Sequence, residues 1–142
     1  MKRIICSVLV LALILMCGCS KRIDYNIKDN SVKITGRNNN TYYNPSDKED
    51  GYCFVEIDGE KYLPFGTQEG RITGDIVGDC IAYEDEDKNC RYYEVIGHEE
   101  FIASFYTGGI MEQWEFFRSE KTIGEDIEIP SFIYDLGYDL WK

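Results

Sequence analysis

The stretch Tyr52-Cys53-Phe54-Val55-Glu56-Ile57-Asp58-Gly59-Glu60-Lys61-Tyr62-Leu63 decides the fold. Its two halves carry the aromatic and β-branched residues that strands favour, Tyr52, Phe54, Val55 and Ile57 in the first and Tyr62 in the second. Asp58-Gly59 lies at the centre, and that dipeptide suits a two-residue turn whose residues take positive φ. The stretch therefore reads as a β-hairpin, strands 52–57 and 60–63, with Pro64 and Gly66 ending the second. Working outward, the same logic gives strands at 72–83, bent at its glycines, and at 90–96, 101–106 and 110–118. In the last of these Met111, Trp114 and Phe117 recur three apart as in a helix. Three aromatics in four residues and the preceding Gly108-Gly109 favour a strand.

Upstream, 23–28 and 31–35 are β-rich runs joined by Asp29-Asn30, which predicts a small leading hairpin. Residues 37–51 carry Asn38-Asn39-Asn40, Pro45 and a charged run, the composition of a linker or long loop. Downstream, Pro130 and Gly137 bracket a segment whose apolar stripe would be Phe132, Ile133 and Leu136, which predicts a short C-terminal helix. The sum is a mainly β protein, a small antiparallel barrel or sandwich with one short C-terminal helix.

The 142 residues carry 26 acidic and 15 basic side chains, net charge −11. A polyanion repels nucleic acid, so DNA or RNA binding falls out. Length and composition allow one globular domain.

The N-terminus speaks of compartment. Lys2-Arg3 precedes an uncharged run, 4–16, and the small-residue cluster Cys17-Gly18-Cys19-Ser20, the order of a secretory signal. Thirteen residues rise only about 20 Å as a helix, too short to span a bilayer. Met16-Cys17-Gly18-Cys19 resembles the lipobox of bacterial lipoproteins, an aliphatic residue and two small ones before an invariant cysteine. The resemblance implies cleavage after Gly18, a diacylglycerol on Cys19 and attachment to the outer side of the membrane. Two acyl chains make a stable anchor. Lys21 and Arg22 then stand where anionic headgroups attract them, while the acidic remainder is expected to stand off. The chain divides into a signal peptide at 1–18, an anchor with a possible hairpin and linker at 19–51, and a β-rich domain at 52–142.

After processing, Cys53, Cys80 and Cys90 remain as thiols able to pair. With Asp85 at the centre of the 83–87 loop, Cys80 and Cys90 lie opposite and can form a disulfide. With Glu84 facing Asn89, Cys80 faces Tyr93 and lies about 10 Å from Cys90, too far for a bond. Metal sites are not expected. CxxC spacing is absent, His98 is the one histidine, and Asp85, Asp87 and Asn89 match only the first ligand positions of a calcium loop. His98-Glu99 is not followed by the second histidine of HExxH, since position 102 is Ile102. No catalytic constellation or cofactor motif assembles.

The adjacent aromatics Tyr92-Tyr93 and Phe116-Phe117 cannot both face one core, so one ring of each pair is expected on an outer face unless the strand is covered on both sides. Exposed rings on an anionic surface suit a cationic, amphipathic partner. The spacings of Tyr62 with Gly66, Gly74 with Gly78, Tyr92 with Gly97 and Trp114 with Arg118 resemble those of small Gram-positive lipoproteins, among them lantibiotic self-immunity lipoproteins. That resemblance, over about 52–136, implies a β-rich domain that intercepts a cationic membrane-active peptide; it carries over no ligand residues. The expected function is a non-catalytic, lipid-anchored binding module for a cationic peptide or envelope protein. The alternatives are an accessory subunit of a membrane complex and, third, an enzyme.

Overall fold

The computed structural model describes residues 20–38, 53–84, 89–108 and 113–141. Nine strands form one sheet: β1 (Ile27–Lys33), β2 (Gly36–Asn38), β3 (Phe54–Ile57), β4 (Glu60–Gln68), β5 (Val77–Tyr83), β6 (Cys90–Val95), β7 (Phe101–Tyr106), β8 (Glu115–Ser119) and β9 (Ile133–Asp135). Their order is β1-β5-β6-β7-β8-β4-β3-β2, with β9 paired to β4. The mainly β expectation holds, and the central hairpin forms as read. Asp58 and Gly59 take φ of 52° and 81°, as a turn with two left-handed residues demands.

The sheet is mixed rather than antiparallel throughout, because β1 runs parallel to β5. The leading hairpin is absent: Asp29-Asn30 lies inside β1, which crosses that dipeptide with a register shift. The Ser31 hydroxyl accounts for the departure. It accepts the Lys28 N–H at 2.8 Å and donates to the Cys80 carbonyl at 2.6 Å, tying the irregular segment to β5. β1 and β2 occupy opposite ends of the sheet order yet are separated only by Ile34 and Thr35. Ile34 N–H donates to Tyr83 O on one end strand's neighbour, and Thr35 N–H to Glu56 O on the other's. The chain thus draws the two ends together without pairing β1 to β2; the sheet is rolled, not closed into a barrel. The described part of 19–51 is an integral piece of this fold rather than a tether ahead of it.

Two expectations about the termini of elements give way. β4 continues through Pro64 and Gly66, because the register slips between them and the proline's missing N–H falls where the ladder is already broken. The predicted C-terminal helix is strand β9, paired with β4 through Gly66, Thr67 and Gln68. A short strand on a neighbour wins backbone hydrogen bonds that an isolated seven-residue helix would gain only at a nucleation cost. The described helical turns are the 3-10 segments Glu120–Thr122 and Asp139–Trp141.

Apolar packing covers both faces of β5–β8. One cluster contains Phe65, Val77, Cys80, Tyr93, Phe101, Phe105, Trp114 and Phe116, closed over by Ile23, Ile127, Phe132 and Trp141 from the terminal segments and loops and by Ile27 at the start of β1. The other, inside the roll, joins Val55, Ile57, Ala82, Tyr92 and Ile102 with Val32, Tyr62 and Phe117. β7 shows the result: five consecutive residues, Phe101 to Phe105, are buried.

Gly66 marks a close approach of two backbones. A Cβ there would stand 2.4 Å from the Tyr134 carbonyl oxygen on β9. We expect Gly66→Ala to lower stability by about 1–3 kcal/mol, read as a fall in the urea midpoint at unchanged slope.

Candidate functional site

The aromatic pairs do not lie together on one open face, although Tyr92 and Phe117 line a concavity of about 350 Å³ with Ser104 and Tyr106. Tyr92 and Tyr93 are 2% and 0% exposed. Tyr93 belongs to the first cluster, edge-on to Trp114 at 5.1 Å, and Tyr92 to the second, edge-on to Phe117 at 6.2 Å. Phe116 is buried with Tyr93, and Phe117 is half-buried with Tyr92. The pattern correctly sends one ring of each pair to either face; rolling covers the face that was expected to be open.

Cys80 and Cys90 remain thiols. Cys80 faces Tyr93 across β5–β6, the register that forbids a disulfide. They also lie on different sides of the sheet, Cys80 in the first cluster and Cys90 against the second. Burial pushes the Cys80 thiol up, whereas Cys90 Sγ lies 3.8 Å from Tyr92 Oη and 3.9 Å from Ser104 Oγ. Among the described residues no group of His, Cys, Asp or Glu is arranged to hold a metal. Asp85 and Asp87 lie outside the described residues, as do Cys19 and the leader. His98 is a turn residue: its ring packs edge-on to Phe132 at 6.0 Å, and its Nδ1 lies 3.7 Å from Glu100 Oε1.

What the structure builds instead is a cleft of about 610 Å³ at the β6–β7 turn. Its apolar lining includes Tyr62, Ile81 and Ile102, and its rim carries Glu94, Glu99 and Glu100. Gly97 makes the turn at φ 79°, so three carboxylates arrive within seven residues of chain. Glu94 lies over Gly78, where a Cβ would meet its Oε1 at 2.0 Å, and accepts the Asp79 N–H at 3.1 Å. One rim carboxylate is therefore fixed by the glycine beneath it. Glu99 is exposed. Glu100 faces His98, and its backbone carbonyl accepts the Ser119 N–H at 2.9 Å, which fastens the turn to β8.

Tyr62 contributes the cleft's aromatic wall. Its phenol is pushed up to about 12, first by burial and then by the Glu60 charge. Glu60 itself accepts from Lys121 Nζ at 2.8 Å and Ser119 Oγ at 2.6 Å, which hold its carboxyl below the usual range. An anionic rim around an apolar, aromatic floor can bind an ammonium or guanidinium group attached to an apolar body. Sequence reasoning considered His98-Glu99-Glu100 only as a metal or acid–base motif. The available signal was the recurrence of Glu94, Glu99 and Glu100 about one turn.

A second buried phenol marks the opposite cluster. Tyr93 Oη is enclosed without a hydrogen-bond partner, and burial pushes its phenol up to about 12 as well. Both tyrosines favour the neutral form in the folded state, so their contribution to stability is complete below pH 10 and is lost as pH rises through 12. We expect spectrophotometric titration to show late phenols, those of Tyr62 and Tyr93 among them, and alkaline unfolding to begin above pH 10. Tyr93→Phe should remove one late phenol and raise stability by about 1 kcal/mol, because it deletes an unpaired buried hydroxyl.

Comparison of the chain with protein families, with curated proteins and with solved structures finds no match in any of the three.

Proposed function

We propose that the protein is a non-catalytic, lipid-anchored module on the outer side of a bacterial membrane, binding a cationic peptide or a basic segment of an envelope protein. The carrying observation is the Glu94–Glu99–Glu100 rim over the apolar lining of Tyr62, Ile81 and Ile102. Rim carboxylates steer and orient a cation, and a concave apolar floor supplies contact area that a flat anionic surface lacks. The net charge of −11 extends the attraction beyond the cleft. The anchor half of the reading rests on Met16-Cys17-Gly18-Cys19.

Binding is expected to weaken as salt rises, because the rim is exposed and its field is screened over about 8 Å at physiological ionic strength. Glu99→Lys replaces an attraction with a repulsion on an exposed position and should weaken binding of a Lys- and Arg-rich amphipathic peptide roughly tenfold, with the fold unchanged. Titration calorimetry at two salt concentrations reads both; salt-independent affinity, or equal affinity for the variant, overturns the cleft as the site. For the anchor, Cys19→Ala should leave the chain unacylated and release it from the membrane fraction.

A further inference from the structure

The chain between Ser20 and Ile27 is held against the domain. Lys21 N–H donates to Asp75 Oδ2 at 3.0 Å, and Gly74 N–H donates to the Lys21 carbonyl at 2.9 Å. Arg22 crosses Gly74 so closely that a Cβ on the glycine would stand 2.4 Å from the Arg22 carbonyl oxygen. Ile23 then packs on the first cluster, and Arg91 donates to the Tyr25 carbonyl. The first residues after Cys19 are thus a docked strap.

This docking gathers charge against the grain of the molecule. In a chain with 26 acidic and 15 basic residues, Lys21, Arg22 and Arg71 line one concavity of 230 Å³ together with Ser20, Tyr25 and Thr73. All three cations are exposed. Two carboxylates lie close by: Asp75, which accepts the Lys21 N–H, and Asp24, which pairs with Lys28. Among the described residues, no ion pair joins a carboxylate to the side chain of Lys21, Arg22 or Arg71. Arg71 comes from the β4–β5 connection, fifty residues further along, so the patch exists only in the folded chain.

We propose that this face, Lys21, Arg22 and Arg71 around the Ser20 end of the strap, docks the domain on the anionic phospholipid headgroups of the bilayer that holds the anchor. The proposal rests on acylation at Cys19, two residues before Lys21, and departs from the expectation that the acidic body stands off. A strap fixed from Lys21 onward leaves only Ser20 between anchor and domain. The domain then meets the surface in one orientation, patch first, with the phosphates supplying the counter-charge. Tyr25, whose ring is partly exposed beside the patch and otherwise stacks on Trp114 and tilts against Phe105, suits the headgroup layer.

The test uses the full chain, purified from membranes and reconstituted in vesicles of phosphatidylcholine alone or with phosphatidylglycerol, its N-terminus read by mass spectrometry. Amide hydrogen exchange over 69–76 should be roughly fivefold slower on the anionic vesicles, an effect removed by high salt. Arg71→Glu should abolish the difference while leaving the chain acylated and vesicle-bound. An acylated chain with equal exchange on both vesicles, or an Arg71→Glu chain that keeps the protection, overturns the docking face alone. An unacylated chain overturns the anchor; if it still shows the protection, the docking face stands by itself, and if not, both fall.

Discussion

Adjacent aromatic side chains on one strand force the architecture. Tyr92 and Tyr93 leave β6 in opposite directions, as Phe116 and Phe117 leave β8, so a sheet with one wet face would expose a large ring from each pair. The fold meets this by covering both faces. Inside the roll, Tyr92 and Phe117 pack with Val55 and Ile102; outside it, Tyr93 and Phe116 are covered by segments that have no sheet of their own. The terminal segments therefore do more than decorate the domain. The strap before β1 and the residues around β9 supply apolar cover that β5–β8 need on the outer face.

Arg118 fastens part of that cover. It leaves β8 toward the outer face, 3% exposed, with Nε donating to Thr122 Oγ1 at 2.8 Å and Nη2 to the carbonyls of Thr122 and Glu125 at 2.8 and 2.9 Å. Its guanidinium lies 4.7 Å from the Trp141 ring centroid and 5.8 Å from that of Phe65. A planar fork that donates along its edge and stacks on its face does what lysine cannot. Trp141 adds a hydrogen bond from its indole to the Pro64 carbonyl, at the break in the β4 ladder. One cation thus joins β4, β8, the 3-10 turn after β8 and the C-terminal turn.

The two charged surfaces follow from different parts of this arrangement. The acidic cleft is local: a glycine turn between β6 and β7 brings its carboxylates together, and all lie within a few residues. The basic patch is non-local, since the strap must dock before Lys21 and Arg22 meet Arg71.

The aromatic and β-branched residues of 52–57 and 101–106 made the central strands legible, because strand preference is carried by the residues themselves. Asp58-Gly59 likewise carried its own turn. The register of β5 on β6 was left open by the residues and was decided by packing: Cys80 had to face Tyr93 once its strand entered the outer cluster. Asp29-Asn30 and 130–137 have local preferences for turn and helix that tertiary hydrogen bonds overrode, to β5 through Ser31 and to β4 through Gly66. By itself, then, the chain determined the mainly β content, the adjacent rings sent to opposite faces and the excess of negative charge. Only the tertiary structure decided what covers those rings and where the cations collect, because both depend on contacts between residues far apart in sequence.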